Sequence, residues 1–169
     1  MLLFSGIMIA TTPLVAEANG ARTPEKIATI ARQSLWVAFI LGSIAGLILQ
    51  SMPLLLPLMG VPANLLPKAS LFLHAIGFGM PAVTMYAALR GYSEALGHPR
   101  PVTVISLAAL VLLVPLNFVF MYGFGPIPAL GSAGCGFATA ILQWIMFFTL
   151  AAYIFKASAY QKTQVFSTW

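Results

Sequence analysis

The chain has 169 residues, of which 60% are hydrophobic and only 7% are charged. Soluble domains carry about 25% charged residues, so this composition excludes a soluble globular protein and indicates an integral membrane protein. The net charge of +5 does not indicate nucleic-acid binding, because the basic residues are spread singly between apolar runs. The single cysteine, Cys135, excludes an internal disulfide framework and a cysteine-based zinc site, and we interpret it as a packing residue.

The first apolar run, residues 1–16, is shorter than the roughly 20 residues that a membrane-spanning helix needs. A secretory signal peptide is one interpretation, because residues 16–18 imitate a cleavage site of the A-x-A type. No Lys or Arg precedes the run, however, and two threonines and a proline at 11–13 interrupt it, which is not typical of a signal peptide. We therefore expect the second half of a transmembrane helix whose beginning is missing.

Four full transmembrane helices are predicted after a polar loop at residues 17–32. Thr23 and Pro24 are a typical N-cap and first helical residue, so a short amphipathic helix should run from Pro24 into the first full span. Small residues in the centre of that span predict close helix packing, and prolines at its end predict an irregular exit. The spans cover about 33–58, 69–89, 101–122 and 133–155, with a polar loop at 90–100 and a polar tail at 156–169.

The basic residues predict the orientation of these helices. If the 17–32 loop is cytoplasmic, the 90–100 loop and the tail are cytoplasmic as well. That arrangement leaves Lys68 alone on the outer side, which is a strong positive-inside pattern. The residues on the cytoplasmic side are then Arg22, Lys26, Arg32, Arg90, Arg100, Lys156 and Lys162.

The sequence contains no constellation that is typical of an enzyme. The three acidic residues, Glu17, Glu25 and Glu94, all fall in predicted cytoplasmic loops, so no carboxylate pair lies within the membrane. His74 and His98 fall on opposite sides of the membrane and cannot form one site. His74 could be a proton relay, although a histidine near a helix start is more often a tethered packing residue. We therefore expect neither catalysis nor a bound cofactor.

Asn117 is the most informative polar residue in the apolar runs. An unpaired amide in hydrocarbon is costly, so an asparagine there indicates a functional site. Pro115 removes a backbone donor two residues earlier and frees a carbonyl nearby. Thr139 should lie at similar depth in the next helix, and the two neutral oxygens suit a hard cation such as Na⁺, although the set is incomplete without a carboxylate. The alternative is that both side chains only bond to their own helices.

Four stretches of the chain resemble a known family. They read ATTPLVAEANGAR (10–22), ALRGYSEALGHPRP (88–101), VPLNFVFMYG (114–123) and ALGSAGCGFATA (129–140). In this order and spacing they resemble the multidrug and toxic compound extrusion (MATE) transporters, and in particular their NorM-like branch. The resemblance implies an all-α integral membrane fold, in which this chain supplies half a transmembrane helix plus four full helices of a six-helix N-terminal lobe. It also implies exchange of cationic drugs for Na⁺ or H⁺ across the bacterial inner membrane, with the lipid bilayer and small cationic drugs as partners.

The resemblance also assigns roles to residues. The fifth helix of the family supplies a polar residue where Asn117 stands and the sixth a threonine where Thr139 stands, and both face a cation site. A second asparagine, common one turn earlier, is replaced by Leu113. The first helix, which carries an aspartate central to coupling, and the C-terminal lobe lie outside this chain and are required for function. Further candidates are Pro115, Gln143 and Trp144 for the cavity or a helix bend, and Arg90, Gly91, Arg100 and Pro101 for the cytoplasmic hinge.

An alternative function from another class remains open at this point. The chain could be a small helical membrane protein that assists assembly without transporting anything, or a truncated gene product. A coding sequence for one helix upstream and six helices downstream would favour the transporter.

Overall fold

The computed structural model describes residues 24–58, 60–124 and 129–157 of the chain. The predictions for residues 1–16, for the loop before Pro24 and for the tail after residue 157 lie outside these ranges. Four helices fill most of the described part, and each is long and apolar enough to cross a membrane. They are α1 (Pro24–Ser51), α2 (Leu66–Ala95), α3 (Pro99–Tyr122) and α4 (Ser132–Lys156). The all-α membrane fold with four long helices, predicted from the apolar runs and implied by the family resemblance, is confirmed.

Helix α1 begins earlier and ends earlier than the predicted span of 33–58. It starts at Pro24, because the amphipathic turn continues into the apolar run without a break. It ends at Ser51, where a 3₁₀ turn over Met52–Leu54 follows. Prolines at 53 and 57 lack the N–H groups that a continuing α-helix would use, so the chain leaves the helix at this point.

The predicted polar hinge over 90–100 is wrong in extent. Helix α2 continues to Ala95, so Arg90 and Gly91 are helical. The Arg90 Nε lies 2.8 Å from the Glu94 Oε1, and an opposite-charge pair at this spacing stabilises a helix. The connection to α3 is only residues 96–98. Gly97 supplies a φ of +77° there, which favours glycine.

Helix α2 lies between α1 and α4, and glycines allow both approaches. A Cβ built on Gly46 of α1 would lie 2.6 Å from the carbonyl oxygen of Gly77, and one built on Gly79 would lie 3.0 Å from the Cα of Ala140 in α4. Because a real side chain cannot fit at the first distance, the backbones of α1 and α2 are held closer than larger residues would permit. The close packing predicted from the small residues is confirmed.

Helix α3 packs mainly along α4 and is the least buried of the four. Val102 and Ala109 are its only buried residues, and many of its large apolar side chains are exposed. One apolar core joins the start of α1, the end of α2, the start of α3 and the end of α4, so these four ends lie together. The described basic residues at this end, named the basic end below, are Arg32, Arg90, Arg100 and Lys156, whereas Lys68 lies at the opposite end of α2.

Candidate functional site

The register between α3 and α4 brings Asn117 and Thr139 to similar depth. The two helices run antiparallel, and the rings of Phe120 and Phe137 stack with centroids 6.5 Å apart. From that pair, Asn117 lies three residues back along α3 and Thr139 two residues forward along α4. At about 1.5 Å rise per residue, the shifts are roughly 4.5 Å and 3 Å toward the basic end. The sequence prediction that both residues occupy the same level agrees with this register.

The amide oxygen of Asn117 has no hydrogen-bond partner within the part of the chain that the structure describes. Its Oδ1 atom is fully buried and unpaired. A buried acceptor left in this state costs about 1–3 kcal/mol, so most such atoms in native proteins have a partner. Pro115, which also lies in α3, cannot bond to the carbonyl of Val111 one turn earlier. The unpaired Oδ1 of Asn117 is available to a ligand at this level, whereas Val111 lies six residues, roughly 9 Å, nearer the basic end.

The Thr139 hydroxyl already donates its proton to a hydrogen bond within its own helix. Its Oγ1 donates to the Cys135 carbonyl of its own helix over 2.8 Å, as the alternative interpretation expected. The lone pairs of that oxygen can still accept or coordinate. The side-chain oxygens of Asn117 and Thr139 are the hard, neutral ligands that Na⁺ prefers. These oxygens are too few to complete the coordination shell of a Na⁺ ion.

No carboxylate completes this set within the described residues. Glu94, the one acid whose side chain is described, pairs with Arg90 at the basic end of α2. Across the same described ranges, no three His, Cys, Asp or Glu side chains come close enough to hold a metal ion. A monovalent cation at Asn117 would therefore need further ligands from residues other than these.

Gln143 and Trp144, the two cavity candidates on α4, face different directions. At about 100° per residue, Gln143 lies only 40° from Thr139 around the helix and shares its face. Trp144 lies about 140° away from Thr139. Its Nε1 donates to the Phe78 carbonyl of α2 over 3.3 Å, and its ring lies 5.5 Å from that of Phe148. Trp144 therefore belongs to an aromatic cluster between α2 and α4, away from Asn117.

Two polar residues of α2 play structural roles. The Nδ1–H of His74 donates to the Ser70 carbonyl over 2.6 Å, which is the tethered state that the sequence favoured. Thr84 was missed by the sequence analysis. It is buried, and its Oγ1 donates across to the Ala38 carbonyl of α1 over 2.7 Å. The sequence carried no signal for this bond, because it depends on the close approach of α1 and α2 at Gly42.

The remaining residues of the predicted hinge separate into two groups. Arg90 and Gly91 belong to the last turns of α2, while Arg100 and Pro101 belong to the first turn of α3. Ser93 closes the corner between them, because its Oγ donates to the His98 carbonyl over 2.8 Å. Arg90 can stabilise the carbonyl end of its helix. Arg100 lies at a helix N-terminus instead, where a positive charge has no such role.

A family model described as MatE matches residues 1–119. The chain is 79% identical over all of its 169 residues to a probable multidrug resistance protein NorM of Acinetobacter baylyi, of which it covers 38%. It is 38% identical over 170 aligned residues to the multidrug resistance protein PmpM of Pseudomonas aeruginosa, of which it covers 35%. The chain thus spans little more than a third of the length of these relatives.

A solved structure has the same fold. It is described as the inward-facing conformation of a multidrug resistance MATE family transporter of the MOP superfamily. The TM-score is 0.81, with 92% of this chain and 35% of that chain covered, at 21% sequence identity. At this level of identity the likeness establishes the helical architecture.

Proposed function

Since the chain belongs to the MatE family and to its NorM-like branch, we propose that it forms part of the N-terminal lobe of a multidrug efflux antiporter. In this proposal the whole protein exchanges cationic drugs for Na⁺ or H⁺ across the bacterial inner membrane. The names of the relatives from Acinetobacter baylyi and Pseudomonas aeruginosa support multidrug resistance as the broad role. The four apolar helices support a multi-pass membrane location.

The observation that supports a coupling role most directly is the unpaired Oδ1 of Asn117. An orphan acceptor inside a transmembrane helix is tolerated where it pairs with a ligand or another segment. A cation that binds there would convert the cost of the unpaired oxygen into a favourable interaction. Thr139 would supply a second oxygen from the adjacent helix. Residues outside this set would supply the compensating negative charge.

The family requires two repeats that move around a site near the midplane of the membrane. The described helices form one wall of such a cavity. Helix α3 contributes Asn117 and α4 contributes Thr139 at a similar level, with Gln143 about one turn nearer the basic end. A drug cation and a coupling ion that compete for such a wall would be exchanged and not carried together.

A chimaeric transporter tests the proposal. The 169 residues of this chain replace the matching segment of the Acinetobacter baylyi relative, and ethidium efflux is measured in cells that lack other pumps. We expect efflux at a rate close to that of the intact relative. In this background Asn117→Leu should raise the ion concentration for half-maximal efflux by about 5- to 150-fold, which corresponds to the loss of about 1–3 kcal/mol.

Thr103→Val is the matched control for this variant. Thr103 lies on the same helix, is exposed, and donates only to the Pro99 carbonyl of its own first turn. The Thr103→Val variant should leave the ion dependence of efflux unchanged. The amount of each protein in the membrane is measured in parallel. An Asn117→Leu chimaera with unaltered ion dependence, or a chimaera that inserts normally and transports nothing, would contradict the proposal.

A further inference from the structure

The α3–α4 groove is a second feature of the basic end, separate from the level of Asn117. It has a volume of about 480 Å³ and opens on the outer surface of the two helices. Helix α3 contributes its first two turns and α4 its last two. Because the helices run antiparallel, Arg100 of α3 and Lys156 of α4 lie at the same end of the groove. The residues used below are Arg100, Val104, Ile105, Tyr153 and Lys156.

Two positive charges line this groove, and none of its described lining residues is acidic. Lys156 lies in the last turn of α4, where a cation stabilises the helix dipole. Arg100 lies in the first turn of α3, where the positive end of the dipole opposes it. Helix stability therefore does not explain Arg100. An anion at this end of the groove would offset the unfavourable position of Arg100 and would also be attracted by Lys156.

The groove changes character with depth. Val104 and Ile105 lie four and five residues beyond Arg100, so the apolar wall extends roughly 6–7.5 Å from the charged end along the helix axis. One leaflet is half of a hydrocarbon core of about 30 Å. The apolar wall therefore covers the half of the leaflet that is nearest the headgroups. Tyr153 of α4 lies about one turn deeper than Lys156, at the level where tyrosines meet the headgroup region.

A charged end followed by an apolar wall fits an amphiphile better than a free anion. A cationic drug is disfavoured, because it would meet two positive charges and no described carboxylate. The positive-inside pattern places this end in the cytoplasmic leaflet, where anionic lipids are found. A guanidinium can hold phosphate oxygens in a bidentate pair, and the lysine can add a point charge.

We propose that the α3–α4 groove binds an anionic phospholipid of the cytoplasmic leaflet, with its phosphate between Arg100 and Lys156 and one acyl chain along Val104 and Ile105. The site does not depend on the coupling ion or on the drugs that the whole protein carries. Its failure and that of the proposed function can therefore be told apart.

Native mass spectrometry of the full 169-residue chain in detergent tests this site. The chain is titrated with dioleoyl phosphatidylglycerol and with dioleoyl phosphatidylcholine, which share their acyl chains. We expect tighter retention of phosphatidylglycerol, with each of Arg100→Gln and Lys156→Gln reducing the preference about fivefold, the fold-change of about 1 kcal/mol per basic residue. The double variant should show no preference. A wild-type chain without preference would overturn the proposal.

Control variants separate this site from a general effect of net charge. Arg32→Gln removes a charge from the same end but lines a different groove, between α1, α2 and α4, and should keep the preference. Arg100→Lys and Lys156→Arg keep the positive charge and should keep most of the preference for phosphatidylglycerol. Circular dichroism checks the helix content of each variant. An equal loss in Arg32→Gln would overturn the proposal. Displacement of the lipid by millimolar inorganic phosphate would do so as well, because it would indicate a free-anion site.

Discussion

The contact between α1 and α2 at Gly42 allows a stability prediction with a worked magnitude. A Cβ on Gly42 would lie 2.6 Å from the Cα of Pro81 and would also collide with the hydroxyl of Thr84. Overpacking of this kind costs about 1–3 kcal/mol. Loss of the Thr84 hydrogen bond to α1 destabilises the fold by about 0.6–1.7 kcal/mol more. The higher helix propensity of alanine stabilises it by about 1 kcal/mol. We expect Gly42→Ala to destabilise the chain by about 2 kcal/mol.

Thermal unfolding of the purified full chain in detergent, followed by circular dichroism, measures this effect. At about 2–4 °C per kcal/mol for a chain of this size, the midpoint should fall by about 4–8 °C. Gly79→Ala makes the same chemical change where the nearest atoms are 3.0 Å and 3.1 Å away, so its effect should stay within about 1 kcal/mol. Ser43→Ala, on the exposed side of α1, should stay within about 0.5 kcal/mol.

The order of the unfolding midpoints of these variants tests whether Gly42 sets the distance between α1 and α2. If Gly42→Ala unfolds at the same temperature as Gly79→Ala, then the distance between α1 and α2 is not set by the missing side chain at residue 42. A raised midpoint for Gly42→Ala would mean that the two helices can separate without loss, and the close approach would have no energetic importance.

Two further predictions concern single groups of α2 and the corner that follows it. Thr84→Val keeps the side-chain shape but removes the bond across to α1, and should lower the unfolding midpoint by about 1–7 °C, while Thr103→Val, whose bond is local and exposed, should not change it. Gly97→Ala places a side chain at a φ of +77° and should cost about 1–2 kcal/mol. Gly97→Asn should recover part of this cost in the same unfolding assay, because asparagine tolerates that region.

The sequence predicted the elements of the fold well, because their signals are local. Runs of apolar residues of the right length define transmembrane helices, and small residues such as Gly42 and Gly46 mark the surfaces that approach closely. The helix ends were less predictable. Arg90 and Glu94 look like loop residues by polarity, yet their spacing of four makes them a stabilising pair on a helix. The corner at Gly97 is closed by local hydrogen bonds, from the Gly97 N–H to the Glu94 carbonyl and from the Ser93 hydroxyl to the His98 carbonyl, so the glycine itself was the better signal for the end of α2.

The residues of the candidate site could be identified from the sequence. Their burial, their hydrogen bonds and the directions of their side chains could not. An asparagine beside a proline stands out in an apolar run, so Asn117 could be found from the sequence. That its oxygen is buried and unpaired depends on how α3 and α4 pack. The direction of Trp144 was equally hidden, because a helix exposes several faces and only the position of α2 decides that Phe78 accepts its N–H.

The two prolines inside helices, Pro81 and Pro115, lie in different surroundings. Pro81 of α2 frees the Gly77 carbonyl, but that region is packed against α1 and tied to it by the Thr84 hydroxyl. Pro115 lies in α3, whose only buried residues are Val102 and Ala109. Beyond Pro115, however, α3 is held against α4, because a Cβ on Gly134 would collide with the Phe120 carbonyl oxygen and the rings of Phe120 and Phe137 stack. Because Asn117 lies between Pro115 and this contact, ligand binding at its amide can favour one bend of α3 over another only if the contact with α4 adjusts as well.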